Sequence, residues 1–344
     1  MHMADALISP AVGGTMWLAS AGLTSYASRK IDVPSNGRLI PLMGVSGAFV
    51  FAAQMINFGI PATGSSGHLG GGLLLAVLLG PYPALVVMAS ILTVQALVFA
   101  DGGLLALGCN IFNLGVLPCL VAYPLLLRPL LGTNTAWPRL FAGCLVAALV
   151  GVELGAFGVV LQTAVSGRAA LPFDTFLLLM LPIHLAIAVV EGLATAAILA
   201  FIWHARPELR PGSSQAASDA GSVRPVALGL LVVALIVGGC LSWFASTHPD
   251  GLEWSIERAV GSTELRATGP VHGSLARLQD RTAVLPDYDL PSSGESAAET
   301  SDGSWPAVSP GGTVSGIVGS LCVLVLAAAL GWVSRVANRR REQP

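Results

Sequence analysis

Short polar breaks divide this chain into nine apolar runs, near 10–28, 40–58, 69–80, 83–100, 104–127, 140–166, 174–203, 226–246 and 313–334. Most have the length, roughly 20 residues, that a helix needs to cross a hydrocarbon layer. Inside lipid every backbone N–H and C=O must be bonded within the protein, so runs of this kind fold as helices. The expected fold is all-α: a polytopic membrane bundle of about seven membrane helices, followed by a C-terminal two-helix transmembrane hairpin. The third run is short and rich in glycine and reads as a broken or partial crossing. Charge supports this class. Only 10% of the 344 residues are Asp, Glu, Lys or Arg, against about a quarter in a soluble domain. The net charge of −2 and the lack of a basic patch interleaved with aromatics argue against a nucleic-acid partner.

The basic residues orient the bundle. With the amino terminus on the extracytoplasmic side, twelve fall on the cytoplasmic side: Arg29, Lys30, Arg38, Arg128, Arg139, Arg206, Arg210, Arg224, Arg335, Arg339, Arg340 and Arg341. The short outer loops hold only Arg168. This is the asymmetry of a multi-pass protein of the cell (inner) membrane, with a cytoplasmic carboxy terminus. The first run is expected to remain as a helix rather than be cleaved as a signal, because its basic residues follow the apolar stretch instead of preceding it.

Three regions follow. Residues 1–205 form a bundle with short loops, 206–225 a cytoplasmic linker rich in Pro, Gly and Ser, and 226–344 a transmembrane hairpin around a long outer segment. The latter part of that segment, LPSSGESAAETSDGSWPAVSPGGT, is too polar to build a core. Its earlier part, HPDGLEWSIERAVGSTEL, spaces Leu252, Ile256, Ala259 and Val260 as one helix face, with Asp250 placed to cap the start. This helix is expected to dock near the outer loops of the bundle. The five cysteines lie in apolar runs without paired metal spacing and read as small buried hydrophobes.

The polar residues that remain are few. Met1 and His2 fall on the outer side. A terminal amine, the next amide nitrogen and a histidine imidazole can close adjacent five- and six-membered chelate rings, giving three nitrogens in a plane with one position open. That geometry suits Ni(II) or Cu(II) better than tetrahedral Zn(II). The plainer reading is a second-position histidine with no ligand role. His68, in the glycine-rich loop GSSGHLGGG, falls on the same side and is the candidate fourth ligand. Its plainer reading is a loop histidine among packing glycines. Asp5, Asn57 and Ser66 are candidates to orient the ligands, as metal-bound histidines need a partner for the second ring nitrogen. His184 and Glu191, seven residues apart on one helix face, are candidates for a translocation or proton-relay role, or form a buried, mutually satisfied pair. With Glu153 they are also the material from which an intramembrane enzyme could be built, but no HExxH occurs. A Walker A loop is excluded, because the only lysine sits in YASRKID.

MHMAD, PLMGVSGAFVFAAQMINF, GSSGHLGGG, DGGLLALGCNIFN and HLAIAVVEGLATA together resemble the substrate-capture M component of nickel/cobalt importers of the energy-coupling-factor (ECF) type, over roughly residues 1–204. The tail, with HPDGLEWS, resembles the small N component, so the chain looks like an M–N fusion. The resemblance implies an ATP-driven importer component without a cofactor of its own, whose cargo is Ni(II) or Co(II). It implies metal ligands at the Met1 amine, the His2 amide and imidazole and the His68 imidazole. It also implies two kinds of partner: a transmembrane coupling subunit and two cytoplasmic ATPase subunits. The family's usual opening, Met-His-Ile-Pro-Asp-Gly, reads Met-His-Met-Ala-Asp-Ala here. Alternatives carried with this reading are a cobalt importer component linked to cobalamin synthesis, a metal-sensing membrane protein without transport, and the intramembrane enzyme.

Overall fold

The apolar runs become helices in the computed structural model, which describes all residues except 32–37, 133–135, 169–170, 206–223, 263–264, 266, 291–305 and 343–344. The proposed linker lies almost entirely outside the described residues, as does most of the polar stretch after Leu290. The helices are α1 (Pro10–Arg29), α2 (Leu39–Gln54), α3 (Gly72–Leu79), α4 (Pro81–Val98), α5 (Leu107–Leu131), α6 (Trp137–Ser166), α7 (Phe173–Ala205), α8 (Arg224–Gly239), α9 (Gly251–Val260), α10 (Pro270–Thr282) and α11 (Pro310–Glu342). Five of them, α4 to α7 and α11, are long and apolar enough to cross a membrane, and α2 and α8 are shorter apolar helices. Bulky apolar side chains such as Leu125, Val165, Leu178 and Phe201 remain exposed on the outside of the bundle. A face of that kind fits contact with lipid chains rather than water.

The breaks have local causes. Ser9 caps α1 by accepting a hydrogen bond from the Val12 amide at 3.3 Å, and Pro10 occupies the first turn, where its missing N–H leaves nothing unsatisfied. Gly80, at φ 87°, separates α3 from α4 with a backbone turn that a side chain would strain. Within α5 the stretch Phe112–Leu127 is wound with the wider π repeat and contains Pro118 and Pro124. Each proline removes a donor and crowds the preceding turn, and widening the turn relieves that crowding.

The third run is only an eight-residue helix, α3. It is preceded by a two-stranded hairpin, β1 (Phe58–Ile60) and β2 (Ser65–Gly67), paired antiparallel with Phe58 opposite Gly67. From β2 the chain runs without regular structure through His68 to Gly71, at φ 76°, before α3 begins. Non-helical backbone inside a membrane bundle needs internal partners, and it finds them. The Gly70 and Gly71 amides donate to the two carboxylate oxygens of Glu191 on α7, at 2.7 and 2.9 Å, and the Gly70 carbonyl accepts from Gln54 at 2.7 Å. The tail belongs to the same body, with α11 packing along α2, α4 and α8.

Candidate metal centre

The amino-terminal segment is threaded into the end of the bundle where α2 stops and α3 starts. Asn110 on α5 clamps Met3, accepting from its amide at 2.8 Å and donating to its carbonyl at 3.3 Å. The Met3 carbonyl also takes the Gly103 amide at 2.9 Å. Asp5 opens a single 3-10 turn, Asp5–Leu7, and its Oδ1 accepts from the Ala106 amide at 2.9 Å. Gly103 is required here, since a Cβ at that position would overlap the Asp5 carboxyl. Met3, Leu7 and Ile8 are fully buried in a cluster with Val159, Val160 and Phe176.

This anchoring brings the two histidines together. The His2 and His68 rings stack with centroids 5.1 Å apart and planes 17° from parallel. His68 Nδ1 lies 3.1 Å from the Leu69 carbonyl, and a carbonyl only accepts, so that nitrogen carries the hydrogen and Nε2 carries the lone pair. His68 Nε2 and His2 Nε2 are buried without a hydrogen-bond partner. His2 Nδ1 faces Asp101 Oδ1 at 3.4 Å. The terminal amine of Met1 pairs with Asp250 Oδ2 at 3.1 Å. Among the described residues no three His, Cys, Asp or Glu side chains converge on one point.

Electrostatics follow from burial. Burial pushes His68 down to about 3, helped by the Met1 ammonium, and pushes His2 below its ordinary value against the pull of Asp101. Both imidazoles are thus neutral and able to act as ligands. Burial alone would raise Asp250, but the Met1 ammonium and its other neighbours hold it well below the usual carboxylate range. Burial raises Glu253, with the Asp250 charge adding to it. Burial and the neighbouring Asp101 raise Tyr288, whose hydroxyl donates to Asp101 Oδ2 at 2.5 Å.

Asp250 comes from the tail. It caps α9, accepting from the Leu252 and Glu253 amides at 2.8 and 2.9 Å, while Glu253 accepts from the Asp250 amide at 3.1 Å. The preceding residues dock on the hairpin: the Ser66 amide and hydroxyl donate to the Pro249 and His248 carbonyls, each at 2.8 Å. The expected helix is present, with Leu252 and Ile256 buried on the bundle and Arg258 and Glu257 on its open side. Ser66 thus joins the tail to the loop, and the Asn57 carbonyl does the same by accepting from the Ser246 amide at 2.7 Å. His184 Nδ1 lies 2.8 Å from the Met180 carbonyl, whereas Glu191 takes the Gly70 and Gly71 amides, so each has a backbone partner of its own. Glu153, on α6, has one buried carboxylate oxygen without a partner. Tyr288 and the pairing of Asp250 with the amine were not read from sequence. Asp250 was visible only as a helix cap, and nothing local links it to residue 1.

Residues 2–209 match the family described as "cobalt uptake substrate-specific transmembrane region", and 224–336 match the PDGLE domain. The chain is 30% identical over 337 residues to a putative fused nickel transport protein NikMN of Archaeoglobus fulgidus, covering 98% of this chain and all of that protein. It is 31% identical to the fused nickel transport protein NikMN of Rhodobacter capsulatus, over 84% of this chain and 88% of the relative. A cobalt transport protein CbiM of Desulforamulus reducens is 32% identical over 62% of this chain and 85% of its own length. In three dimensions the chain is similar to a crystal structure of a truncated transition metal transporter, at 26% identity and a TM-score of 0.52, over 60% of this chain and 99% of the other.

Proposed function

Because the chain belongs to the cobalt uptake substrate-specific transmembrane family and carries a PDGLE domain behind that region, we propose that it captures Ni(II), or Co(II), for import. It is a fused M–N component of nickel/cobalt transport, a multi-pass membrane protein and a transporter subunit rather than an enzyme. In the proposed capture, the Met1 amine, the His2 amide and the His2 imidazole take three corners of a plane around the ion. His68 Nε2 takes the fourth. The observation that carries this reading is the stacking of His2 on His68 at 5.1 Å beside the anchored amine, with the lone pair of His68 unpartnered.

Two of these nitrogens face carboxylates: the amine Asp250, and His2 Nδ1 Asp101. A six-membered chelate through the His2 amide closes on Nδ1. Binding would free the amine from Asp250 and His2 Nδ1 from Asp101, with the amine, the amide and Nδ1 releasing their protons to water as they take the ion. Both carboxylates stay beside the ion, where they balance its charge. Four nitrogens in a plane favour Ni(II), whose d electrons prefer that geometry, over Zn(II). We place the site on the extracytoplasmic side of the cell membrane, from the charge asymmetry of the loops. Energy comes from partners, an ECF-type transmembrane coupling subunit and two cytoplasmic ATPases.

Uptake of radiolabelled Ni(II) and Co(II) by cells, with and without the partner subunits, tests the function. Equilibrium dialysis of the purified chain tests the site. His68→Ala is expected to abolish binding while leaving the helices intact, because it removes one ligand from a loop. Retention of wild-type affinity in that variant would refute the assignment.

A further inference from the structure

Beside His68 lies a small, partly open cavity of ≈ 40 Å³, lined among others by Met1, His68, His184, Glu191 and Asp250. His184 is 1% exposed and sits on α7. Its Nδ1 faces the Met180 carbonyl at 2.8 Å, so the hydrogen is on Nδ1 and the lone pair on Nε2. That Nε2 is buried and has no partner. His68 has the same arrangement: Nδ1 on a backbone carbonyl, Nε2 free, at the wall of the same cavity. An N–H fixed on a carbonyl, with the other nitrogen bare, is how histidines are set up to bind metal. The void exceeds the 10–15 Å³ or so that one water-sized occupant needs. A buried acceptor without a donor is uncommon enough to require an explanation, and here two of them share one cavity.

We propose that this cavity is a second metal position, in which a divalent transition-metal ion is held by His68 Nε2 and His184 Nε2 with water completing its shell. This proposal rests on the capture reading for the identity of the ion. His68 is shared: the ion leaves the planar chelate by exchanging the amine, the amide and the His2 imidazole for His184 and water, one step further into the bundle. Glu191 lines the same space, and its two oxygens fix the glycine backbone that carries His68.

The test uses the full chain with one residue added ahead of Met1, which displaces the amine, and measures Co(II) binding by dialysis and by the Co(II) absorption spectrum. The extended protein is expected to retain weak binding of Co(II) with a nitrogen-ligand spectrum. Adding His184→Gln should weaken that binding by about tenfold or more, the range seen when a metal-site partner is lost. Binding that is equal with and without His184, or absent from the extended protein, would overturn the second position. In the unextended chain His184→Gln should reduce uptake severalfold. Wild-type uptake by that variant would also overturn it. If the extension instead left full affinity, the amine chelate would be the part that fails, and the His184→Gln comparison would still decide the second position.

Discussion

The amine of Met1 lies 3.1 Å from Asp250 Oδ2, an ion pair between groups 249 residues apart. Both groups are nearly withdrawn from solvent, at 9% and 17% exposure. Losing one partner of such a pair leaves a charge poorly solvated. Asp250→Asn isolates the effect, because asparagine caps a helix as well as aspartate does and α9 should persist. The variant is expected to lose about 2 kcal/mol of stability. Thermal unfolding with and without Asp250 checks this, and circular dichroism checks that the helix content is kept.

An added residue at the amino terminus should abolish high-affinity Ni(II) binding. It moves the amine by about 3.5 Å, the length of one extended residue, and replaces it with an amide that cannot close the same ring. A carboxy-terminal tag should be tolerated. The measurement is Ni(II) dialysis on protein whose amino-terminal sequence has been verified, and full affinity in the extended form contradicts the chelate.

Glu191→Gln should loosen the loop that carries His68. The carboxylate accepts two backbone amides from Gly70 and Gly71. Glutamine keeps the shape but turns one acceptor into a donor, which faces an amide and leaves it unpaired. The cost is about 2 kcal/mol, and Ni(II) affinity should fall severalfold. Thermal unfolding and dialysis on the same sample separate the two effects.

Acid should destabilise the metal-free protein through its buried imidazoles. His68 is held at about 3 chiefly by burial, against 6.5 for a free histidine. Between those values the unfolded chain takes a proton that the native chain refuses. Stability therefore falls as pH drops below about 6.5 and goes on falling toward about 3. His2, also lowered chiefly by burial, acts in the same direction. The loss attributable to His68 is about 2 kcal/mol by about pH 5. His68→Gln should flatten that part of the pH profile of the thermal midpoint.

The helices were legible because each apolar run announces its own length, and Asp250 was legible as a cap because a cap acts within three residues. The splitting of the third run was signalled by its glycines, although the hairpin Phe58–Gly67 in front of it was not, since three-residue strands carry too little alternation to register. The π turns around Pro118 and Pro124 were invisible because α and π windings share nearly the same apolar pattern. His2 and His68 stood out by residue type and by falling on one side of the membrane. Tyr288 and the Asp250 ion pair did not. They meet their partners through tertiary packing over 187 and 249 positions, and no spacing rule reaches that far.

The joining of residue 1 to residue 250 also sets an order of events in biosynthesis. The first residues leave the ribosome with their amine unpaired, and the bundle helices are made and inserted before the partner carboxylate exists. Only when α8 has been placed and the chain has continued past Pro249 can the amine find Asp250. A nascent chain arrested before that point has both histidines but no counter-charge for its first nitrogen. The end of the protein that is made first is thus among the last to be fastened.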